Sequence, residues 1–373
     1  MKLWIPGPTQ VRPEVLAELA RPAIGHRSAA MVEVTERLDP HLRLAFGLGE
    51  GSTSHVAVHS TSASGMMEAA LVGAGPRILS LVNGAFSKRF ADIAEVLGKE
   101  VVRLEVPMGQ RVAPETVAAA LAEQGPFDAV TVVSSETSTG TATPFGPMAE
   151  VLAPYPDTML LTDVVSWVAA APIDFDANRV DFAFAGVQKA LALPPGIAVC
   201  CVSERYLAQA RGRTRRSWYH DPVRIVEGHE ARKTPATPAI PHYLALARQL
   251  EDITAGVTLA PDMGPAEGAA AWQKRFDEHG RMQCRTIAWA ESHGLGLLPE
   301  PRFGSPGVGC IRAEGLDVAA LVDGLKARGF QISNGYGDLK GKTFRIGHMG
   351  DHTLSGLDEL LAAADELLPA RVG

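Results

Sequence analysis

This sequence of 373 residues contains few cysteines and has no net positive charge, and each of these absences excludes classes of protein. The four cysteines show neither the spacing of a metal site nor a dense disulfide framework, which favours a reducing compartment. The net charge of −7 argues against a nucleic-acid binder, because phosphate contacts require a dominant basic patch. We interpret the one basic run, residues 211–216, as a solvated loop or helix face that could also line the mouth of a site.

Long apolar runs are also missing. No stretch approaches the roughly eighteen apolar residues that a membrane-spanning helix requires. The first residues, MKLWIPGPT, reach a proline too early for the apolar core of a signal peptide. We therefore expect a soluble, cytoplasmic protein that binds neither membranes nor nucleic acid.

The composition, 46% hydrophobic and 21% charged, is that of a globular protein with a sizeable core, and the length predicts about two domains. Strand-like and helical patterns alternate in the first part, which predicts an α/β fold with a mostly parallel, doubly wound sheet. From residue 265 the composition shifts to one long helix, residues 269–293, which we interpret as the connection to a smaller C-terminal domain. In that domain we expect helices at 318–328 and 353–368, and strands at 309–312, 330–333 and 343–346.

One lysine, Lys189, lies between two apolar segments that read as strands, residues 181–187 and 197–202. Burial of an ammonium group costs free energy, so such a lysine is paired, solvated at the tip of its turn, or used chemically. On this stretch alone, a surface lysine at a strand end and a catalytic amine are equally open interpretations.

An aspartate, Asp163, follows the apolar run 159–161 at the point where a strand should end. Open α/β sheets place their ligand-binding groups there. A strand-end aspartate followed by a strand-end lysine is the pair that a pyridoxal phosphate site requires. The lysine forms a Schiff base with the cofactor, and the carboxylate keeps the pyridine nitrogen protonated so that the ring can accept electrons.

Small hydroxyl residues lead into the helical pattern MMEAALVG. After a short strand at 55–58, Ser62, Ala63 and Ser64 would offer backbone N–H groups, hydroxyls and a favourable dipole end to a phosphate. A plain helix cap remains the alternative, because no G-x-G-x-x-G or Walker pattern accompanies these residues.

Nine motifs occur in the order in which one known family carries them: PGPTQVRPEVL, IGHRS, STSASGMMEAA, NGAFSKR, ETSTG, LLTDVVS, GVQKALALPPG, TPATPAIP and FRIGHMG. Over nearly its whole length the chain resembles the class V (fold type I) aminotransferases of the alanine/serine–glyoxylate (serine–pyruvate) group. The resemblance implies pyridoxal 5′-phosphate as cofactor and a fold type I transferase with a large domain and a small α+β C-terminal domain. Such motifs identify scaffold and cofactor better than substrate.

The resemblance also divides the chain and implies a homodimer with shared active sites. It implies an N-terminal segment at residues 1–20, a large cofactor-binding domain at 21–264, and the connecting helix with the small domain at 265–373. In relatives the N-terminal segments lie across a dimer partner, near the mouth of the site. The loop TPATP would reach the neighbouring subunit's phosphate cup through Thr237 and, less directly, Thr234.

Further roles are implied by position in the motifs. Lys189 and Asp163 would be catalytic, Arg345 would bind the substrate carboxylate, and Gly7 would lie beside the substrate. The apolar neighbours of Arg345 in the strand KTFRIG also weaken its interpretation as a surface arginine. The residues implied to contact the cofactor are Ser62, Ala63, Ser64, Phe86, Thr137, Ser138, Asp163, Val165, Gln188, Lys189, Thr234 and Thr237.

Several of these residues have ordinary alternatives. Phe86 would stack on the cofactor ring opposite Val165, or it is a core phenylalanine, although its position after a strand and turn favours the crevice. Ala63 departs from the glycine that relatives usually carry. Trp167 either narrows the substrate pocket or is a packing substitution. His348 and His352 have metal-like spacing, but Gly350 disfavours a helix and no third ligand is evident, so we expect no metal.

The expected function is transamination between a small amino acid of the alanine or serine class and a 2-oxo acid of the glyoxylate or pyruvate class. The same scaffold supports phosphonate transamination, desulfuration and lyase chemistry. The absence of a cysteine in an obvious mobile loop counts against a desulfurase. A non-catalytic accessory subunit is a further alternative, against which the intact Lys189, Asp163, Phe86 and Arg345 argue.

Overall fold

The computed structural model describes residues 1–214 and 217–368. Its strands are β1 (Lys2–Leu3), β2 (His55–His59), β3 (Arg77–Val82), β4 (Glu100–Glu105), β5 (Ala129–Val133), β6 (Ser135–Glu136), β7 (Thr141–Ala142), β8 (Met159–Asp163), β9 (Phe182–Gly186), β10 (Ala198–Val202), β11 (Val308–Arg312), β12 (Phe330–Gln331), β13 (Ser333–Asn334) and β14 (Thr343–Gly347). Its α-helices are α1 (Pro13–Leu19), α2 (Ala29–Ala45), α3 (Ala63–Gly73), α4 (Ala85–Val96), α5 (Pro114–Gln124), α6 (Phe145–Leu152), α7 (Glu204–Arg211), α8 (Pro222–Glu230), α9 (Ile240–Thr254), α10 (Ala269–Ser292), α11 (Val318–Ala327) and α12 (Leu354–Asp365).

The centre of the molecule is a seven-stranded sheet in the order β2–β10–β9–β8–β5–β3–β4. Only β10 runs antiparallel to its neighbours, β2 and β9, and the other neighbouring pairs are parallel. Every residue of β8, β9 and β10 is buried, because helices cover both faces of such a sheet and select continuous apolar runs. The mostly parallel sheet confirms the expected fold class.

The chain leaves β3 towards β4 on one side and then returns through β5 on the other side. The crevice outside the carboxyl ends of strands at such a reversal is where α/β proteins bind ligands. Segments following β2, β3, β5, β8 and β9 all emerge at this edge, because these five strands run in the same direction. The predicted lysine, aspartate and hydroxyl-rich loop are therefore brought to one edge of the sheet.

A second hydrophobic cluster forms around α10, α11, α12 and the antiparallel sheet β11–β14–β13. Trp4, from the N-terminal segment, belongs to this cluster and is 1% exposed. The strand β1 pairs in parallel with β12, with Lys2 opposite Phe330. The N-terminal segment is thus held by the C-terminal part of the same chain.

The structure corrects the sequence predictions at several elements. The single strand predicted at 330–333 is two short strands that belong to different sheets, since β12 pairs with β1 and β13 pairs with β14. The helix predicted over MMEAALVG begins earlier, at Ala63, because the Ser62 hydroxyl caps it by accepting from the Gly65 N–H at 3.3 Å. Within residues 1–214 and 217–368, no helix is long and apolar enough to cross a membrane.

Candidate active site

A cavity of about 230 Å³ opens at the carboxyl edge of the central sheet. It is lined by residues that follow five different strands, as the topology requires. The predicted site residues among its lining are Ser62, Ala63, Ser64, Phe86, Thr137, Asp163, Val165, Gln188 and Lys189.

Lys189 lies in the turn after β9, where three contacts from the N-terminal segment hold it. Its ammonium donates to the Pro6 carbonyl, and its own carbonyl accepts from the Thr9 hydroxyl at 2.8 Å. The Thr9 N–H donates to the Gln188 carbonyl at 3.0 Å. Burial lowers the pKa of Lys189 from 10.5 to about 8; the positive charge of Arg345 adds to this effect and Asp163 opposes it. A substantial fraction of this amine is therefore neutral, and nucleophilic, near pH 8.

Asp163 is the last residue of β8 and points its carboxyl group into the cavity. Burial raises the pKa of Asp163 from 3.8 to about 7, while the Val165 N–H, which donates to Oδ1 at 2.8 Å, acts against the rise. Within the described chain Oδ2 accepts no hydrogen bond. A cationic ring nitrogen in the cavity would supply the missing partner and return the carboxyl to its charged form.

The first turn of α3 forms another wall of the cavity. The N–H groups of Ala63 and Ser64 make no hydrogen bond to any described residue, as expected for the first helical positions. Unpaired N–H groups and the positive end of the helix dipole favour an anion. Alanine at position 63 is accommodated as the first helical residue.

Phe86 lies in the first turn of α4, which a buried carboxylate holds in place. Glu136, fully buried after β5, accepts from the N–H groups of Phe86 at 3.0 Å and Ser87 at 2.8 Å. The Ser138 hydroxyl donates to Glu136 and accepts from the Ala85 N–H at 3.0 Å. The first four N–H groups of any helix have no acceptor within the helix. Here side chains of the loop ETSTG accept from three of them. The Phe86 ring is thereby fixed against the cavity.

Arg345 projects from β14 and is 9% exposed. Its Nη1 donates to the Thr137 carbonyl at 3.0 Å and its Nε to the Asn334 carbonyl at 3.2 Å. Burial lowers the pKa of Arg345. In the part of the chain that the structure describes, no carboxylate lies within 4.0 Å of the guanidinium, and Nη2 makes no hydrogen bond. The group is oriented by two neutral carbonyls and keeps its charge for a ligand.

Gly7 lies directly against the lysine. A Cβ atom built on Gly7 would be 2.5 Å from Cδ and 2.6 Å from Nζ of Lys189, and its φ of +114° disfavours any side chain. The position thus requires glycine for two independent reasons.

A buried arginine behind the site, Arg275 of α10, holds three segments that carry these residues. Its Nη2 donates to the carbonyls of Ala190 at 2.7 Å and Gly350 at 2.8 Å, and its Nε to the Ala169 carbonyl at 3.2 Å. Its Nη1 pairs with Asp351 at 2.9 Å. The turn of Lys189, the loop after Asp163 and the end of the Arg345 strand are therefore tied to one guanidinium.

Other predicted residues lie outside the cavity lining, namely Gly7, Ser138, Thr234, Thr237 and Arg345. Ser138 is buried against Glu136, and Thr237 is exposed, while the Thr234 hydroxyl donates to the Ala236 carbonyl at 2.7 Å. Trp167 packs edge-on against Phe145, with ring centroids 5.3 Å apart, and its indole N–H donates to the Pro172 carbonyl.

The basic run at 211–216 is only partly described, because residues 215 and 216 lie outside the described chain. Arg211 pairs with Glu204 at 2.6 Å and with Glu227 at 3.1 Å. His352 stacks on Trp4 at 3.9 Å and its Nε2 donates to the Leu3 carbonyl at 2.7 Å. Among residues 1–214 and 217–368, no group of three His, Cys, Asp or Glu side chains could hold a metal.

Sequence reasoning missed several residues of this site. Arg89, Ser135 and Ser166 line the cavity, and Glu136 and Arg275 support it from behind. Arg89 could have been predicted, because it lies three residues after Phe86 and therefore on the same face of α4. Arg275 could not, because an arginine within the polar run QKRFDEHGR is expected to be exposed.

The residues present fit pyridoxal phosphate. The cavity combines an amine of lowered pKa, a buried carboxyl with an unpaired oxygen and a helix N-terminus with unpaired N–H groups. These match the aldehyde, the ring nitrogen and the phosphate of that cofactor in turn. Fold and cavity together define a pyridoxal-phosphate-dependent enzyme.

The chain belongs to the class V aminotransferases, whose family profile, described as "Aminotransferase class-V", matches residues 53–260. It is 32% identical over 365 residues to a protein of Methanocaldococcus jannaschii named an uncharacterized aminotransferase, covering 96% of this chain and 90% of that one. It is also 29% identical over 378 residues to the serine–glyoxylate aminotransferase of Methylorubrum extorquens, covering 97% and 90%.

Among solved structures, the subgroup IV aspartate aminotransferase of Thermus thermophilus superimposes with a TM-score of 0.85 and 29% identity. The match covers 99% of this chain and 100% of that one. These findings confirm the expected family, fold and cofactor.

Proposed function

We propose that the protein transfers the amino group of a small amino acid, of the alanine or serine class, to a small 2-oxo acid such as glyoxylate or pyruvate. The observation that carries this proposal is Arg345, a buried guanidinium with no carboxylate partner among the described residues. Its charge lowers the pKa of Lys189. One guanidinium acting on that amine suits a substrate with one carboxylate. The similarity to the serine–glyoxylate aminotransferase of Methylorubrum extorquens supports the same substrate class.

Bound pyridoxal phosphate would supply an aldehyde carbon and an electron-withdrawing ring. Lys189 would hold that carbon covalently until the amino donor displaces it. As a free amine of lowered pKa, Lys189 would then move the proton between the substrate Cα and the cofactor C4′. Its tether to the Thr9 hydroxyl fixes the backbone from which the amine moves.

Asp163 and Arg345 would orient the reacting groups. The unpaired Oδ2 of Asp163 would accept from the protonated ring nitrogen and keep it charged. Arg345 would hold the substrate carboxylate through Nη2 and so set which bond at Cα is broken. After the first oxo acid leaves, the second oxo acid would use the same guanidinium, which gives ping-pong kinetics.

The remaining assignments complete the proposed site. Phe86 and Val165 would cover the two faces of the cofactor ring, and Gly7 would leave room beside Lys189 for the substrate. Contacts to the cofactor are proposed for Ser62, Ala63, Ser64, Thr137, Ser138 and Gln188, with Thr234 and Thr237 acting from the partner of a homodimer. We place this homodimer in the cytoplasm and divide each chain at residues 20 and 264.

The visible absorbance of the bound cofactor tests the proposal. Alanine or serine should bleach it, and glyoxylate or pyruvate should restore it, with release of the donor's oxo acid. Bleaching only by aminophosphonates, or release of ammonia without an acceptor, would assign a different reaction to the scaffold. A protein that binds no chromophore would indicate an accessory subunit.

A further inference from the structure

One arginine, Arg89, lines the cavity beside Phe86 and Ser64, whereas Arg345 is not among the lining residues. It projects from α4 so that its guanidinium carbon lies 5.1 Å from the centre of the Phe86 ring. Its Nη1 donates to the Ser64 hydroxyl at 3.3 Å. No carboxylate lies within 4.0 Å of this guanidinium in the described chain, so its charge is not neutralised there.

The two arginines act on different groups of the site. The charge of Arg89 lowers the pKa of Asp163. The charge of Arg345 lowers the pKa of Lys189. Because Arg89 also lines the cavity and donates to the Ser64 hydroxyl, it belongs to the end of the cavity formed by the first turn of α3.

A phosphate at that end requires a positive side chain. It would share the cavity with Asp163, a carboxyl group whose negative charge repels it. Arg89 and Lys189 are the only cationic side chains among the described residues of the lining, and Lys189 is committed to the aldehyde carbon. The helix N-terminus alone carries about half an elementary charge, against close to two on a phosphate monoester.

We propose that Arg89 binds the phosphate of pyridoxal phosphate, together with the free N–H groups of Ala63 and Ser64. The Ser64 hydroxyl, to which Arg89 already donates, aims the guanidinium at the first turn of α3. Stacking on Phe86 holds the guanidinium plane, so phosphate binding also fixes the ring that covers the cofactor. The inference depends on the cofactor and not on the substrates proposed above.

The test compares pyridoxal phosphate with pyridoxal, which has the same ring and aldehyde but no phosphate. Both are titrated into the full-length protein after removal of its cofactor, and the dissociation constants are read from absorbance. Arg89→Gln should weaken pyridoxal phosphate about 10- to 100-fold, as the loss of one charge-assisted hydrogen bond implies, and change pyridoxal less than about twofold. Arg89→Lys should recover part of the loss, because an ammonium keeps the positive charge but lacks the parallel N–H donors of a guanidinium.

Lys88→Gln is the matched control, because it removes the same charge one position earlier on α4. Lys88 is exposed and pairs with Asp92 at 2.9 Å, away from the cavity. It should leave both dissociation constants unchanged. Equal weakening of pyridoxal and pyridoxal phosphate by Arg89→Gln would show that Arg89 acts only through Phe86 and would overturn the proposal. Unchanged binding of both would overturn it as well, whatever the activity with glyoxylate.

Discussion

Lys189 and Arg345 carry like charges, and the charge of Arg345 lowers the pKa of Lys189. The amine captures the cofactor's aldehyde only when it is neutral. With a pKa of about 8, the capture rate should rise about tenfold per pH unit below pH 8 and level off above it, instead of rising to about pH 10.5. Stopped-flow absorbance at several pH values measures this inflection.

Substitution of Arg345 or Asp163, the two charged neighbours of Lys189, tests the direction in which each one shifts the pKa of the lysine. Arg345→Ala removes a charge that lowers the lysine pKa, so the inflection should move to higher pH. Asp163→Asn removes a charge that raises it, so the inflection should move to lower pH. Lys189→Ala should show no covalent capture. Equal inflections in all lysine-containing variants would show that burial alone sets the pKa.

Arg345 also allows a prediction on substrate selection. Arg345→Ala should cost on the order of 3 kcal/mol of transition-state stabilisation, roughly a hundredfold in kcat/KM, because a desolvated charge-assisted pair is lost. Arg345→Lys should recover only part, since an ammonium cannot present two parallel donors. Steady-state kinetics with alanine and serine measure both effects.

An amine without a carboxylate is the control for Arg345. Its turnover, already slow, should barely respond to either substitution. If amine and amino acid slowed equally, Arg345 would support the fold and not the substrate.

At the scale of elements, the N-terminal segment that covers Lys189 gives a further prediction. Gly7→Ala should displace the lysine side chain, because the new Cβ would lie 2.5 Å from Cδ. We expect turnover and the rate of cofactor capture to fall at least about tenfold, while the melting temperature falls by only a few degrees, since the strain is about 1–2 kcal/mol.

Gly315→Ala is the matched control for Gly7. Gly315 also has a left-handed backbone, with φ of +78°, but a Cβ added there would meet no atom of the described chain within 4 Å apart from its immediate chain neighbours. It should share the loss of stability and keep normal turnover. Equal activity losses in both variants would assign the effect of Gly7 to backbone strain.

The elements that sequence reasoning predicted best are those with continuous apolar runs. The strands that carry Asp163 and precede Lys189 are buried on both faces, so their ends, and hence the site, could be located from the sequence alone. The stretch at 330–334 could not, because Ile332 is the only residue between strands of two different sheets. Helices α7 and α8 were missed because they are short, with eight and nine residues.

Supporting contacts were harder to foresee than the reacting groups. Glu136 reads as part of a polar loop, and its role depends on the N-terminus of α4, which lies 50 residues away in sequence. The hydrogen bonds of Arg275 reach carbonyls 75 to 106 residues distant. Backbone carbonyls and N–H groups are common to all residues, so no sequence pattern marks which of them a distant side chain will meet.

At the scale of the whole molecule, Thr237 tests the shared site. Thr237→Ala and Lys189→Ala subunits, mixed in one dimer, should give one site with both lesions and one intact site. The mixture should therefore be more active than the average of the two parent homodimers, as measured by turnover after refolding the two together. A fully active monomer saturated with cofactor would contradict the proposed dimer, and so would a mixture whose activity equals that average.

The pairing of β1 with β12 has a consequence for how the protein is made. Residues Lys2 and Leu3 are translated more than 300 residues before their partners Phe330 and Gln331. Trp4 stacks on His352, which is translated later still. Because a contact so distant in sequence forms late, the nascent chain can assemble its central sheet while the turn of Lys189 is still uncovered. The Lys189 amine is covered only after the partners of β1 and Trp4 have been translated.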